Sequence, residues 1–263
     1  MEGFLIYVIP DITGMSIKDI LLVVMDAMGQ LFFSISVAMG IMVAHGSYVK
    51  DDENLVKSVN QIEIFDTLVA FLAGVMIIPA VYVFMGREGM TAGPGLMFVA
   101  IPKVFAQMGK AGAVIGALFF IMVLFAALTS SISVLEAVVS SLMDQFGMSR
   151  KKATLLEGAI ALVLGIIICF GYNFLYFEVP LPNGTTAQLL DIFDYISNNL
   201  LMPIVAIGTC ILIGWVVKPQ VVIDEATKNG EKFGRKGLYV VMIKVIAPIL
   251  LGILFLGSFG AFS

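Results

Sequence analysis

Six stretches of this chain are long and apolar enough to cross a bilayer, and no other feature narrows its fold as much. They run Ile20–Ser47, Ile62–Met85, Gly112–Met143, Ala153–Gly171, Leu189–Val217 and Leu238–Phe259, each near or above the ~20 residues that a hydrocarbon core requires. Charged residues make up 13% of the sequence against 60% apolar, whereas a soluble domain carries about a quarter charged. Backbone polar groups in hydrocarbon must be satisfied within the spanning segment. The chain is therefore read as an all-α, polytopic protein of the cell membrane, with the lipid bilayer as its first partner.

The distribution of Lys and Arg sets the orientation, so the net charge of −4 carries little information. Ten basic residues, from Lys50 to Lys236, fall in loops on one side, against Lys18, Arg87, Lys103 and Lys110 on the other. The first side is assigned to the cytoplasm, which puts both ends of the chain outside. Residues 1–19 then read as an extracellular loop remnant, since the apolar patch near the N-terminus is too short to span and Glu2 replaces the positive start of a signal peptide. An outer N-terminus without an earlier span is hard to insert, so the expectation is that upstream helices precede it. Residues 218–237 read as a cytoplasmic loop and residues 238–259 as an additional transmembrane helix. The connection after the second span, with Gly93, Pro94 and Gly95 followed by a largely apolar run, predicts re-entrant or surface-lying extracellular helices at about 95–108. Asn183-Gly184-Thr185 fits a short glycosylation acceptor pattern. Cys169 and Cys210 both lie in apolar runs, which suggests neither a disulfide framework nor a metal site. The single His45 reads as a packed core residue.

The first span carries an interruption. Between Gly29 and Gly40 (GQLFFSISVAMG) it gathers Gln30, Ser34, Ser36, Ala38 and Gly40 within a dozen positions. A helix broken at membrane depth must line a protein-walled or watery cavity; alternatively the helix is intact, its serines bond back to earlier carbonyls and its small residues serve packing. Charges inside spans are the second signal, because each costs roughly 2.5 to 3.5 kcal/mol at a helix centre. Asp66 reads either as a cavity carboxylate or as an interfacial one beside Glu63. Asp26 and Lys244 lie near span ends, where a lysine snorkels. Glu136 sits about 12 Å inside Asp144 at 1.5 Å per residue, and is either protonated or paired across the bundle. The same span holds Ala126, Thr129, Ser130, Ser131 and Ser133, a hydroxyl cluster that suits a hard cation or a packing seam.

An interrupted span, a mid-membrane Thr-Ser step and an intramembrane Asp in one bundle fit a secondary transporter with its site near the bilayer midplane. The segments 29–40, 44–48, 66–70 (DTLVA), 128–132 (LTSSI) and 149–152 (SRKK) resemble the bacterial branch of the neurotransmitter:sodium symporter family, over the part that runs from family helix 6 to helix 11. The resemblance implies the second inverted repeat of a leucine-transporter-like fold over residues 20–217 plus one further helix, with the first repeat missing. Phe33, Ser34, Ser36, Ala38, Met39, Ser130 and Val134 would line the substrate site. Sodium would be held by Ser34 and Asp66 at one site and by the Ala126 carbonyl, Thr129 and Ser130 at another. Gln30, Ser34 and Asp66 match chloride-site positions, and because Asp66 stands where animal members carry Asn, chloride is not expected to be required. Tyr48 and Asp144 resemble cytoplasmic gate residues, and Asp194 the acidic member of the extracellular gate. Ala38 departs from the Gly common in the family.

The expected activity is sodium-coupled symport of a small amino-acid-type substrate by alternating access, with these 263 residues, lacking helices 1–5, inactive alone. The alternatives are one subunit of a split transporter, whose separate partner polypeptide carries helices 1–5, and a non-transporting structural or channel-like membrane protein. An enzyme is not expected: one His and two apolar-run Cys leave no nucleophile and base pair, so no catalytic residue is assigned. Nucleic acid is excluded as a partner because the basic residues are already accounted for by orientation.

Overall fold

A computed structural model describes residues 2–9, 12–86 and 95–261. Arg87, Gly93 and Pro94 lie outside them, as do the side chains of Lys18 and Asp26. The helices are α1 (Glu2–Val8), α2 (Ile17–Ser34), α3 (Ile41–Gly46), α4 (Leu55–Met85), α5 (Leu96–Gln107), α6 (Gly109–Phe146), α7 (Arg150–Phe170), α8 (Leu189–Val216), α9 (Pro219–Ala226) and α10 (Lys236–Ser258). A two-residue antiparallel ladder joins β1 (Val179–Pro180) to β2 (Thr186–Ala187). Among the described residues, α4, α6, α7, α8 and α10 are each long and apolar enough to span a membrane. Two compact units result, residues 1–15 with 61–132 and residues 16–60 with 133–263.

In the first unit, α1 packs on α4 through two glycines. A Cβ on Gly3 would lie 3.0 Å from Pro79 Cα, and one on Gly74 would lie 2.2 Å from the Tyr7 ring, which also meets Phe71 at 5.9 Å between centroids. Residues 1–19, expected as a loop, therefore hold a two-turn helix anchored by Tyr7 and the beginning of α2. The region 95–108 is one helix with a π-helical first turn, Leu96–Ala100. Its Ala100, Ile101 and Val104 bury against Val81 of α4, and Phe105 meets Phe119 and Phe120 of α6. The α5–α6 corner needs glycine twice: Gly109 takes φ +62°, and a Cβ on Gly112 would lie 1.8 Å from the Phe105 carbonyl oxygen.

The second unit begins with a capping box, in which Asp19 N–H donates to Ser16 Oγ and Ser16 N–H to Asp19 Oδ2, at 3.2 and 2.8 Å. This satisfies two of the orphan amides at the start of α2. Its core is the antiparallel pair α8 and α10, where Ala206, Cys210 and Leu251 are buried beneath Phe32 and Ala38. The Tyr195 hydroxyl donates to the Ser258 carbonyl at 2.7 Å and pins one end of that pair. A second cluster packs Ile41 and Ala44 of α3 on Ala137 of α6. The expected loop 218–237 contains α9, folded because Pro219, Ile223 and Ala226 form one buried face. The Asp51 carboxylate accepts from Lys228 Nζ at 3.2 Å and holds that ammonium above the usual lysine range. Asn229 Nδ2 adds a 2.6 Å bond to the Asp51 carbonyl. His45 is not a core residue: only Ile41 and Ala44 face inward on a helix this short, and His45 Nδ1–H donates to Ile41 O at 2.9 Å.

Candidate functional site

The first apolar span is broken. The helical ladder of α2 ends as Ile35 N–H bonds Leu31 O, and resumes only where Ala44 N–H bonds Gly40 O. Between them Ser36, Ala38 and Gly40 take φ of +55°, +63° and +76°. Glycine enters the left-handed region freely, but a residue with a Cβ does so at about 1 to 2 kcal/mol. Two such residues persist because the surroundings hold them, Ala38 and Phe32 packing on the α8–α10 core. Ala38 thus occupies a backbone conformation that ordinarily suits glycine.

Two cavities flank the break. One, of about 520 Å³, is lined by Phe33, Ala38, Met39, Val134, Leu201 and Val205, with Asp194 and Asn198 among its few polar walls. The other, of about 460 Å³, is more polar, with Gln30, Asn183, Thr185, Asn198, Asn199 and Ser258 beside Phe33 and Asp194. Phe33, Asp194, Asn198 and Met202 belong to both. Asp194 Oδ1 accepts from Asn198 Nδ2 at 2.5 Å. A π-helical turn, Tyr195–Leu201, follows Asp194 directly and carries Asn198 and Asn199, in keeping with the frequent siting of π turns at functional positions. Asn183, which the sequence marked as a glycosylation candidate, lines the polar cavity and accepts from the Thr185 amide and hydroxyl.

The second unit also holds a polar cluster outside both cavities. Glu136 accepts from the Tyr48 hydroxyl and from Arg150 Nη2, each at 2.5 Å, and Arg150 Nη1 lies 3.4 Å from the Tyr48 oxygen. Glu136 is therefore paired, with a phenol and a guanidinium. Asp144, the other expected gate residue, is exposed and makes no ion pair within 4 Å among the described residues. Glu136 lies two turns closer to the helix centre.

In the first unit, α6 is unbroken at the Thr-Ser step. The Thr129 hydroxyl reaches back to Phe125 O at 3.1 Å and Ala126 O at 2.9 Å, so two of the expected sodium ligands are adjacent oxygens. Asp66 lies three turns into α4, which begins well before the expected span, and the neighbouring Thr67 hydroxyl donates to Glu63 O at 2.8 Å. Ser34 closes α2 in the second unit, and Ser36 forms the first left-handed step after it. Among the described residues no group of three or more His, Cys, Asp or Glu side chains could hold a metal ion.

The profile of the sodium:neurotransmitter symporter family matches residues 1–263. The chain belongs to that family. A sodium-dependent transporter of Haemophilus influenzae is 30% identical over 98% of this chain and 54% of its own length. The sodium-dependent transporter YhdH of Bacillus subtilis is 31% identical over 100% of this chain and 56% of its own. The crystal structure of MhsT in complex with L-phenylalanine superposes with a TM-score of 0.81 at 31% identity, covering 95% of this chain and 54% of that one. The chain thus spans about half the length of the relatives it matches, and it is a multi-pass membrane protein of the symporter fold. Sequence reasoning missed Asn198, Asn199 and Arg150 as site residues. Asp and Asn four apart on a spanning helix were the available signal for the first, and an unpaired intramembrane carboxylate for the last.

Proposed function

We propose that this chain contributes the substrate-lining half of a sodium-coupled symporter for small amino acids, and that the apolar cavity beside the break receives the substrate side chain. The broken span carries this reading: its left-handed steps at Ser36 and Ala38 free backbone groups beside a cavity walled by Phe33, Met39 and Val134. Such walls suit a large apolar or aromatic side chain, in line with the phenylalanine found in MhsT. The break's polar backbone and the Asp194–Asn198 pair face its charged end. Sodium is assigned by resemblance to Ser34 with Asp66, and to the Ala126 carbonyl with Thr129 and Ser130; the 2.9 Å spacing of Ala126 O and Thr129 Oγ1 suits two ligands of one cation. The Asp66 carboxylate supplies fixed negative charge, so chloride is not required. Sodium binding favours one arrangement of the bundle, and the substrate's differential affinity shifts it to the other.

Little of α4 or α7 is buried within these residues. Alone they neither accumulate nor tightly bind substrate. The test is uptake of radiolabelled phenylalanine into vesicles under a sodium gradient, with the chain alone and with it joined to the N-terminal half of YhdH. Sodium-driven uptake only in the joined form, lost in Thr129→Ala/Ser130→Ala, is the expected result. Accumulation by the chain alone, or none in a folded joined form, overturns it.

A further inference from the structure

Two π-helical segments meet where α8 packs on α10: Leu212–Val216 and Met242–Ile246. Each departs from α geometry by an added residue, a distortion that tends to mark function. Gly214 is buried there, with room for a Cβ only 3.2 Å from Ile243 O, and Lys244 Nζ comes to lie over the Trp215 ring, 5.7 Å from its centroid. The ring face attracts the ammonium without accepting its N–H bonds, and among the described residues Lys244 makes no ion pair within 4 Å. Trp215 and Val216 are 63% and 67% exposed, so the pair opens outward. Three residues on, exposed Lys218 takes φ +75° and ψ 140°, a region nearly restricted to glycine whose occupation points to a functional constraint. Nearby carboxylates on α9 are engaged elsewhere, Asp224 by Gln220 Nε2 at 2.6 Å and Glu225 by Lys228 at 3.8 Å.

We propose that Trp215, Lys218 and Lys244 form a binding site for the phosphate of an anionic glycerophospholipid in the leaflet that the basic loops face. Two ammonium groups provide the donors a phosphodiester needs, and an indole at the membrane boundary is the usual company of lipid headgroups. Basic residues at an anionic leaflet each add to lipid affinity. This site goes beyond the transport reading and does not depend on it, needing only the membrane setting.

Trp215 is the only tryptophan, so its fluorescence reports the site alone. The chain is reconstituted in phosphatidylcholine vesicles in which either phosphatidylglycerol or an equal fraction of phosphatidylcholine carries brominated acyl chains, and quenching is compared. The expected result is about fivefold enrichment of the brominated phosphatidylglycerol around Trp215. It falls to parity in Lys218→Gln/Lys244→Gln and persists in Lys244→Arg and in the control Lys103→Gln. Helical circular dichroism and monodisperse elution establish that each variant is folded. Equal quenching by both lipids in the unaltered chain, or enrichment that survives in the folded double variant, overturns the proposal; should the double variant not fold, the single Lys218→Gln change must lower the enrichment.

Discussion

Tyr48 donates its phenolic hydrogen to Glu136 at 2.5 Å across 88 positions of sequence. The same carboxylate also takes Arg150, and the two bonds differ in kind. Tyr48 and the Arg150 side chain are almost equally exposed, at 59% and 58%, so water weakens both. The ion pair is screened by salt, whereas the bond from a neutral phenol is screened far less. The hydroxyl bond is the salt-resistant tie between α6 and the segment that follows α3.

Double-mutant cycles at low and high salt test this distinction. The coupling of Tyr48→Phe with Glu136→Gln in thermal unfolding should change little with salt, and that of Arg150→Gln with Glu136→Gln should shrink. Equal salt dependence of the two couplings, or a greater one for the tyrosine, would reverse the assignment.

At position 38, Ala38→Gly should change stability by less than about 1 kcal/mol, since relief of the left-handed strain offsets glycine's added freedom. Ala38→Val should destabilise by roughly 2 kcal/mol or more, because a β-branched residue at that φ is an outlier. Denaturation monitored by helical circular dichroism distinguishes the pair, and a tolerated valine would mean that the span is not broken there.

Gly112→Ala should lower the unfolding midpoint by an amount equivalent to about 1 to 3 kcal/mol of overpacking, because its Cβ would meet the Phe105 carbonyl. Gly158→Ala, with nothing within 4 Å of the added carbon, should be neutral or stabilising by up to about 1 kcal/mol. Scanning calorimetry of both variants compares a crowded corner with an open helix face.

The Asp51–Lys228 clasp should respond to pH with a definite sign. Its lysine is raised by the hydrogen bond to Asp51, so the contribution is complete below the ordinary lysine value and fades as pH climbs through the raised one. Proteolysis of loop 47–54 should therefore be flat from pH 7 to 9, by this group's account, and faster at high salt, which screens an exposed pair. A rate that rises already near pH 7.5 would place its control elsewhere.

On the proposed reading, in which Asp66 takes the place of chloride, substituting gluconate for chloride should leave sodium-driven uptake by the joined, transporting form unchanged. Uptake that fails without chloride would remove Asp66 from that role.

Much of the fold was legible because hydropathy over twenty residues is a strong signal: α6, α7 and α8 follow runs that nothing but a bilayer-length helix explains. The break was legible as a crowding of Ser34, Ser36, Ala38 and Gly40, although only backbone angles separate it from an intact helix with back-bonded serines. Helix α9 was hidden because a buried face of Pro219, Ile223 and Ala226 is short and its sequence is also rich in polar residues. The partner of Glu136 was hidden for another reason. Nothing in a chain's local pattern tells which of several arginines a distant carboxylate will meet. The π turns were invisible, since a helix with an extra residue per turn has the same composition as one without.

Those π turns have a consequence for how the chain tolerates length changes. An α-helical residue advances the azimuth by about 100°, so the turn at Tyr195–Leu201 sets the rotational phase of every side chain after it. Removing a single residue there would leave hydropathy almost untouched yet wheel Ala206 and Cys210 away from Leu251. A shortening invisible to any composition measure would then undock two whole helices.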